Sequence, residues 1–401
     1  MSELTLEQAQ GLLLERIKEI KETERIPLWD AIGRVTAEDI FAKHDQPPFP
    51  RSPLDGYAVR SGDIKGASKG SPARLTVIDE ADAGHVSKTK VVAGTAVRIM
   101  TGAPIPEGAD CIVGQEDTDY GEDTVEVYEK ISAYENYCFA GEDYKAGTKI
   151  IDKGMKLGAV EIGILASLGL REAYVLRKPR AAVLTTGDEL VLPGEELKPG
   201  KIYDSNLYTV VTRLTALGAE VVRKGRTGDS KEEAAAWIRD AGKEADIIIT
   251  TGGVSVGKKD IMHDVLKLLN CERIFWKIAV KPGMPTLCAQ YEGKLLICLS
   301  GNPFGAAVNL ELLVRPILSK LMGRKDLELK RIRAVTQSAF PKRSGVTRYV
   351  RAFYEDGSVR IPKGSNASGI LSSMCGCNCL IEIPAGTPEL KKGEEVWIIL
   401  I

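Results

Sequence analysis

Between residues 177 and 323 the chain alternates apolar strand-like runs with helix-like segments, and this pattern constrains the fold most. The runs AAVLT, AEVVRKG, DIIIT and LLICL are each followed by a segment with helical periodicity. Continuous apolar strands joined by crossover helices form a parallel sheet that is covered on both faces. The sequence therefore predicts an α/β multidomain protein whose central, doubly wound α/β domain spans residues 177–328.

Two helices of this domain carry clear sequence signals. In NLYTVVTRLTALG, residues Leu207, Val210 and Leu214 lie on one stripe of a helix. The next helix opens with a capping box formed by Ser230 and Glu233.

The flanking segments differ in character from this domain. Residues 46–143 contain short β-branched runs between Gly, Pro and Asp clusters, which predicts an all-β insert. Strand-like runs in residues 329–401, with a hairpin turn at Asp356 and Gly357, predict a small β-barrel.

The remaining residues, 1–45 with 144–176, are predicted to form an N-terminal helical platform. Residues 5–20 have an amphipathic pattern and a capping box from Thr5 to Gln8. Residues 158–169 return to helical periodicity, so we expect the two segments to be helices of one platform.

Charge and apolar patterning exclude several classes of function. The 401 residues include 54 basic and 55 acidic side chains, for a net charge of -1. Such a balance gives no electrostatic footprint for nucleic acid, and the lack of a long apolar run predicts no membrane span. Without a secretion signal or paired cysteine spacing, we expect free thiols in a reducing cytoplasm.

One cysteine cluster, CGCNC at Cys375, Cys377 and Cys379, stays open to two interpretations. Alternate residues of a strand share a face, so the three thiols could hold a soft metal or form a redox site. They could equally be small apolar side chains in a core, since no fourth ligand is evident. The three histidines are isolated and favour neither a zinc site nor a catalytic triad.

The loops that follow the strands are rich in glycine and hydroxyl groups, as expected where ligands bind in open α/β sheets. Thr-Thr-Gly occurs twice, and such turns bring backbone amides close to phosphate. We therefore predict phosphate contacts at these positions: Thr186, Gly187, Asp188, Gly252, Gly253, Ser255, Gly257, Ser300 and Asn302. Two alternatives are a turn that only links strand to helix, and a P-loop, although Lys259 stands where a P-loop needs Ser or Thr.

Charged side chains accompany these loops. Glu189, Asp229 and Asp260 each follow a strand, and carboxylates beside phosphate suggest Mg²⁺. Alternatively, Asp229 and Asp260 are helix N-caps. In FWKIAVKPG, a continuous strand would put Lys277 and Lys281 on one face, toward an anion or as a solvated pair on an edge strand.

A proline-stiffened loop, PFPRSPLDGYAVR, precedes a predicted strand in the β-insert. Three prolines restrict the backbone before Asp55, so the carboxylate is held on a poorly adaptable segment. The alternative is an ordinary Asp-Gly turn before a strand that starts at Tyr57.

Taken together, these motifs resemble those of the molybdopterin molybdenumtransferases, the MoeA-type molybdenum insertases that include the E domain of gephyrin. The resemblance covers essentially the whole chain, and nine motifs occur in the family's order: PLDGYAVR, MTGAPIPEGAD, AGED, TTGDEL, IYDSN, TTGGVSVGKKD, FWKIAVKPG, SGNP and SGILSSM. It implies transfer of molybdenum from molybdate onto adenylylated molybdopterin, with Mg²⁺-dependent release of AMP. The central α/β domain would then bind molybdopterin.

The resemblance also implies site residues and partners. The implied catalytic residues are Asp55, Glu189, Asp229, Asp260, Lys277 and Lys281, with Glu189, Asp229 and Asp260 as metal ligands. Further substrate contacts are implied at Thr101, Asp143, Arg351 and Ser368. The family implies a homodimer, with dimer contacts from the helical platform and a cleft shared between subunits, and a molybdopterin adenylyltransferase as a further partner.

The chain departs from the family pattern at Met284, at Phe304 and in the CGCNC run. Met284 stands where the family has a lysine. Phe304 stands where the family pattern leads to a hydroxyl contact, so that contact is in question here. Two other functions stay open, a non-catalytic scaffold of the same fold and a nucleotide pyrophosphatase. The sequence does not separate molybdate from tungstate, because the two oxyanions have nearly the same size and charge.

Overall fold

The computed structural model describes residues 3–255, 260–364 and 366–401, and the chain forms two compact units. The larger unit contains the residues up to Glu38, Gly154–Ile162 and Arg171–Ile401. The smaller unit contains Asp39–Lys153 and Gly163–Leu170. Gly257, a predicted phosphate contact, lies outside the described residues.

Seven α-helices are assigned within these residues: α1 (Leu6–Leu14), α2 (Ala159–Ser167), α3 (Ser205–Ala216), α4 (Lys231–Ala241), α5 (Met262–Leu268), α6 (Pro303–Asn309) and α7 (Arg315–Met322). A π-helical stretch, Leu310–Val314, joins α6 to α7. Short 3-10 turns lie at Leu28–Asp30, Ser61–Ile64, Gln115–Asp117, Lys325–Leu327 and Ser372–Met374.

The strands fall into three groups along the chain. Before the central domain lie β1 (Thr23–Pro27), β2 (Ile40–Phe41), β3 (Gly56–Val59), β4 (Ala73–Ala81), β5 (Thr95–Ile99), β6 (Cys111–Gly114), β7 (Thr124–Val127), β8 (Lys149–Ile151) and β9 (Glu172–Leu176). The central strands are β10 (Arg180–Thr186), β11 (Leu190–Val191), β12 (Ile202–Tyr203), β13 (Glu220–Thr227), β14 (Ile247–Thr251), β15 (Glu272–Trp276), β16 (Val280–Lys281), β17 (Leu287–Tyr291) and β18 (Lys294–Leu299). The last group is β19 (Arg331–Thr336), β20 (Thr347–Glu355), β21 (Ser358–Arg360), β22 (Cys379–Ile383) and β23 (Glu395–Leu400).

The central sheet has the strand order β13-β10-β14-β18-β17-β15. Its first four strands run parallel, as predicted, whereas β17 and β15 add an antiparallel edge. One face of the sheet packs against α3, α6 and α7, and the other against α4 and α5. Because successive residues of a buried strand point to opposite faces, Val183 and Leu184 belong to different cores. The doubly wound prediction is confirmed.

Helix α4 begins at its predicted capping box, and α3 begins at Ser205, one residue before the predicted helical segment. Asp204 caps α3 by accepting a hydrogen bond from the backbone N–H of Leu207. Ser230 caps α4 through the N–H of Glu233. In both cases the side-chain oxygen satisfies a backbone donor that has no partner inside the helix.

The N-terminal helix is shorter than predicted. Its capping box at Thr5 and Gln8 forms, but α1 ends at Leu14 instead of residue 20. The chain then turns, and the N–H of Ile20 donates to the carbonyl of Leu321. This tertiary contact outweighs the helical propensity of residues 15–20.

The C-terminal strands close into the predicted barrel, because β20 pairs with both β21 and β22 and the ring runs on through β23 and β19. Asp356 and Gly357, both at positive φ, make the predicted hairpin turn between β20 and β21. The smaller unit contains a five-stranded sheet, β6-β3-β5-β4-β7, in agreement with the predicted all-β insert.

The expectation that three thiols share one strand face is wrong. Strand β22 begins at Cys379, so Cys375 and Cys377 precede it in a loop. All eight cysteines are free. Throughout the described part of the chain, no helix has the length and apolarity needed to span a membrane.

Candidate active site

The loops after β10, β13, β14 and β18 surround one cavity of about 700 Å³ in the larger unit, which we call the site cavity. Parallel strands bring their carboxyl ends to the same sheet edge, which is why residues distant in sequence meet there. Ten predicted residues line it: Thr186, Gly187, Glu189, Asp229, Gly252, Gly253, Ser255, Asp260, Ser300 and Asn302.

Three predicted carboxylates, Glu189, Asp229 and Asp260, line this cavity, and none of these three is a helix N-cap. Ser230 caps α4 and Ile261 occupies the N-cap position of α5, so the N-cap interpretation of Asp229 and Asp260 is wrong. The N–H of Asp229 instead donates to Oδ1 of Asp188 at 3.0 Å. Asp188 does not line the cavity but holds the loop that carries Asp229.

Gly252 is needed for the close approach of two loops. Its φ is +96°, and a Cβ atom there would lie 2.4 Å from the carbonyl oxygen of Thr186. Only glycine fits without displacing backbone. The two Thr-Thr-Gly segments therefore pack directly against each other at the edge of the cavity.

The hydroxyl of Thr186 is buried and makes no hydrogen bond to any group in the described ranges. Burying a hydroxyl without a partner costs free energy, so such a group calls for an explanation. Since Thr186 lines the site cavity, a polar ligand atom bound there would satisfy it.

Sequence reasoning missed Asp204 as a site residue. It lines the cavity while only 1 % exposed, and its carboxylate accepts a 2.5 Å hydrogen bond from Thr185 besides capping α3. Asn206, also missed, lies beside it and donates to the carbonyl of Gly301 at 2.8 Å. The signal was available, since IYDSN places a capping residue where a helix starts at the sheet edge.

Neither predicted lysine lines the site cavity, and the expectation that they share one strand face is wrong. Lys277 has a φ of +70°, which ends β15 at Trp276. The Lys277 ammonium lies 4.4 Å from the centroid of the Trp276 ring. Lys281 belongs to β16, which pairs with β20 of the barrel.

Lys281 lines a second cavity of about 220 Å³, which we call the barrel-side cavity. Ser368 lies in the same wall, with Lys342 and Arg348 as further cations. No carboxylate occurs among the described residues of that wall. The two predicted residues Lys281 and Ser368 thus meet in a cationic cavity that is separate from the carboxylates.

Arg351 is fully buried beside this wall. Its guanidinium stacks over the ring of Phe304 at 4.2 Å and donates to the carbonyl of Ala367 at 3.1 Å. The N–H of Phe304 donates to the carbonyl of Ser368. Burial lowers the pKa of the Arg351 guanidinium from its ordinary value. Phe304, a departure from the family pattern, therefore supplies an aromatic face for a buried cation.

The predicted residues Asp55, Thr101 and Asp143 belong to the smaller unit. Asp55 accepts two hydrogen bonds on Oδ1, from the N–H of Thr101 at 2.6 Å and from its hydroxyl at 2.7 Å. These bonds lower the pKa of the Asp55 carboxyl below its ordinary value. Asp143 has an exposed side chain, and its N–H donates to the carbonyl of Gln46.

The strand that follows Asp55 begins at Gly56, and a side chain is excluded there. A Cβ atom on Gly56 would lie 1.9 Å from the carbonyl oxygen of Val113 on the neighbouring strand. The Asp-Gly pair therefore does more than make a turn, since Asp55 is held by Thr101 and Gly56 allows two strands to meet.

The positions of these side chains limit how a metal ion could be held. Within residues 3–255, 260–364 and 366–401, no three His, Cys, Asp or Glu side chains are close enough to hold one ion. Magnesium in phosphate sites needs only one or two carboxylates, because substrate phosphates and water complete its shell. The carboxylates of the site cavity are sufficient for an ion held in this way.

Comparison with known proteins agrees with this architecture. Residues 4–169 match the MoeA N-terminal region (domain I and II), residues 182–320 a probable molybdopterin binding domain, and residues 333–401 the MoeA C-terminal region (domain IV). A molybdopterin molybdenumtransferase of Staphylococcus epidermidis is 37% identical over 99% of this chain and 95% of its own. One of Staphylococcus aureus is 37% identical over 94% of this chain and 90% of its own.

Solved structures give the same result. A molybdopterin biosynthesis moeA protein from Pyrococcus horikoshii OT3 superposes with a TM-score of 0.83, at 32% identity and with 100% of both chains covered. A molybdenum cofactor biosynthesis protein from Pyrococcus furiosus shares the fold, with a TM-score of 0.61 at 22% identity and 100% of both chains covered. On the sequence identity and coverage of these relatives, the chain belongs to the molybdopterin molybdenumtransferase family.

Proposed function

We propose that this chain transfers molybdenum from molybdate onto adenylylated molybdopterin and releases AMP in a Mg²⁺-dependent reaction. Membership of the family makes it a transferase of molybdenum cofactor biosynthesis. One observation carries the finer proposal: loops from four strands place phosphate-type turns and carboxylates around a single cavity. That volume lies within the range of small-molecule sites.

The adenylate phosphates would bind at the Thr-Thr-Gly turns. The backbone N–H of Gly253 and the hydroxyl of Thr186, which has no hydrogen-bond partner among the described residues, would donate to phosphate oxygen. Ser255 and Ser300 add hydroxyls on the same wall. These groups fix the orientation of the adenylate relative to the carboxylates.

One or two of the carboxylates Glu189, Asp229 and Asp260 would hold Mg²⁺ against those phosphates, because the three do not lie close enough together to share one ion. Bound there, the ion would neutralise phosphate charge and act as a Lewis acid. The residues of the chain keep this wall rigid, since Asp188 fixes the loop of Asp229 and Asp204 fixes the start of α3.

Molybdate would bind in the barrel-side cavity. Its wall presents Lys281, Lys342 and Arg348 together with Ser368, which suits a small dianion. Lys277 is not part of that wall, so we assign the anion contact to Lys281 and leave Lys277 to its cation–π contact with Trp276.

The remaining parts of the proposal concern assembly. We propose a homodimer in which Asp55, Thr101 and Asp143 of one subunit complete the site of the other. The fixed carboxylate of Asp55 supports this, because a side chain locked by two hydrogen bonds is preorganised for a ligand.

We further propose that the protein works in a reducing cytoplasm, which its eight free thiols support. A molybdopterin adenylyltransferase would supply the substrate.

The test is AMP release from adenylylated molybdopterin by the purified full chain with molybdate and Mg²⁺. Release that requires both ions supports the proposal. Release without molybdate, or from ordinary dinucleotides, would favour the pyrophosphatase. No release with substrate that a known relative turns over would favour the scaffold.

A further inference from the structure

A third cavity, of about 430 Å³, has described wall residues of the opposite charge to those of the site cavity, and none of the described residues lines both. We call it the basic cavity. Five cationic side chains line it: Arg34, Lys156, Arg177, Lys178 and Arg324. We propose that the basic cavity binds a small organic phosphate, a site beyond the reaction proposed above.

The acidic partners of these cations stand outside the cavity wall. Glu24 pairs with Arg34, Asp246 pairs with Arg177 at 2.7 Å, and none of the described wall residues is acidic. The compensating carboxylates therefore lie outside the wall, and every charged residue among the described wall residues is a cation. Clefts lined by one sign of charge concentrate ions of the opposite sign.

The balance of charge also favours an anion. Five cations of the wall face four carboxylate partners, namely Glu22, Glu24, Asp246 and Asp326. Lys178 accounts for the difference, because its ammonium has no ion pair among the described residues. It is exposed, so it can reach a ligand without leaving an acid unpaired.

Two of the cations are held rigidly. Arg34 is 9 % exposed and donates to the carbonyl of Leu176 as well as to Glu24. Arg324 is 8 % exposed and donates twice to Asp326, at 2.6 and 3.0 Å. Fixed guanidinium groups lose little entropy when a phosphate binds. These two side chains are thus preorganised before an anion binds.

One feature opposes an anion, and the chain offsets it. Thr215 and Ala216, at the C-terminal end of α3, also line the cavity, and a helix C-terminus carries about half a negative charge. Arg324 donates to the adjacent carbonyl of Leu217 at 3.4 Å. The helix end is therefore screened by the same arginine that faces the ligand.

The rest of the wall indicates that the ligand has an organic part. Ile32, Val35, Leu157 and Met322 are apolar and line the cavity together with the cations. Val35, Leu157 and Met322 are buried, but Ile32 is 61% exposed, so inorganic phosphate would leave Ile32 in contact with water, whereas a nucleoside or similar group would cover it. A cavity of about 430 Å³ accommodates a molecule of nucleotide size.

The test is AMP binding to the full chain by equilibrium dialysis in EDTA, with inorganic phosphate as the second probe. We compare the parent with a Lys156→Ala, Lys178→Ala double variant, and use Lys392→Ala, an exposed barrel lysine outside this wall, as the matched control. Both lysines are exposed, and Asp326, the partner of Lys156, keeps its ion pair with Arg324, so we expect at most a small change in the thermal unfolding transition. Affinity for AMP should fall roughly tenfold for each lysine removed, and not in the control.

Crystals grown with AMP give the location. A phosphate group between Lys178 and Arg34 supports the inference. AMP seen in the site cavity alone, equal affinity of parent and double variant, or carboxylates of a second copy filling the basic cavity would each overturn it. Inorganic phosphate binding as tightly as AMP would refute the organic part. None of these outcomes depends on molybdenum transfer.

Discussion

The site cavity and the basic cavity use the same kinds of charged residue in opposite arrangements. In the site cavity Glu189, Asp229 and Asp260 form the wall, whereas in the basic cavity the acids stand behind cations such as Arg34. A wall of carboxylates attracts phosphate only through a cation, while a wall of cations attracts it directly. The comparison therefore predicts that one cavity depends on metal and the other does not.

Removal of Mg²⁺ should separate the two cavities most strongly. We expect EDTA to slow AMP release by roughly a thousandfold, because metal ions stabilise developing phosphate charge by several kcal/mol. AMP binding that depends on Lys178 should not change. Release is measured by chromatography and binding by dialysis. Equal sensitivity of the two measurements to EDTA would contradict the comparison.

Asp260→Asn should give the next largest effect. It keeps the shape of the side chain but removes a charge from the wall of the site cavity, so we expect AMP release to slow by roughly a hundredfold. The matched control is Asp264→Asn, which changes an exposed acid paired with Lys267 outside that wall. A loss of similar size in both variants would point to a general effect on the fold.

Lys281→Ala extends the comparison to the barrel-side cavity. Loss of one cation from its wall should raise the molybdate concentration for half-maximal rate roughly tenfold. The rate at saturating molybdate should change little. Lys392→Ala serves as the control. An unchanged molybdate requirement would remove Lys281 from the anion site.

The smallest effect concerns the acids behind the basic cavity. Arg324 and then Lys156 hold the pKa of Asp326 down at about 2, against an ordinary value of 3.8. A depressed pKa stabilises the folded state above the ordinary value, and this stability is lost as pH falls from 3.8 toward about 2. Since Asp326 is 41% exposed, we expect Asp326→Asn to cost only about 1 kcal/mol at pH 7.

Urea unfolding at pH 7 and again near the pKa of Asp326 measures this contribution. The difference between parent and Asp326→Asn should shrink at the acid end. A difference that is the same at both values would mean that packing, and not ionisation, accounts for it.

The sequence predicted the parts of the molecule that depend on local pattern. Strand, turn and helix follow one another near Thr186 and Gly252, so the sheet edge and ten wall residues could be placed in advance. The predicted helix cap at Ser230 is an equally local signal.

The predictions that were wrong concerned features that depend on long-range contacts. Alternation suggested one strand through Lys277, but the backbone turns there and Lys281 pairs with the barrel instead. The N-terminal helix ends early because Ile20 bonds to a residue three hundred positions away, Leu321. The contact of Arg351 with the ring of Phe304 likewise joins the barrel to the central domain. A local sequence pattern cannot show such a contact, because the two residues are far apart in the chain.

The segment 366–371 has a consequence for how this chain can change. Asn366 and Ser368 line the barrel-side cavity, while Gly369 and Leu371 line the site cavity. Because this segment lines both cavities, a shift of its backbone that enlarges one cavity makes the other smaller. We therefore expect substitutions that favour a slightly different oxyanion to occur at Lys342 or Arg348, which line the barrel-side cavity but not the site cavity.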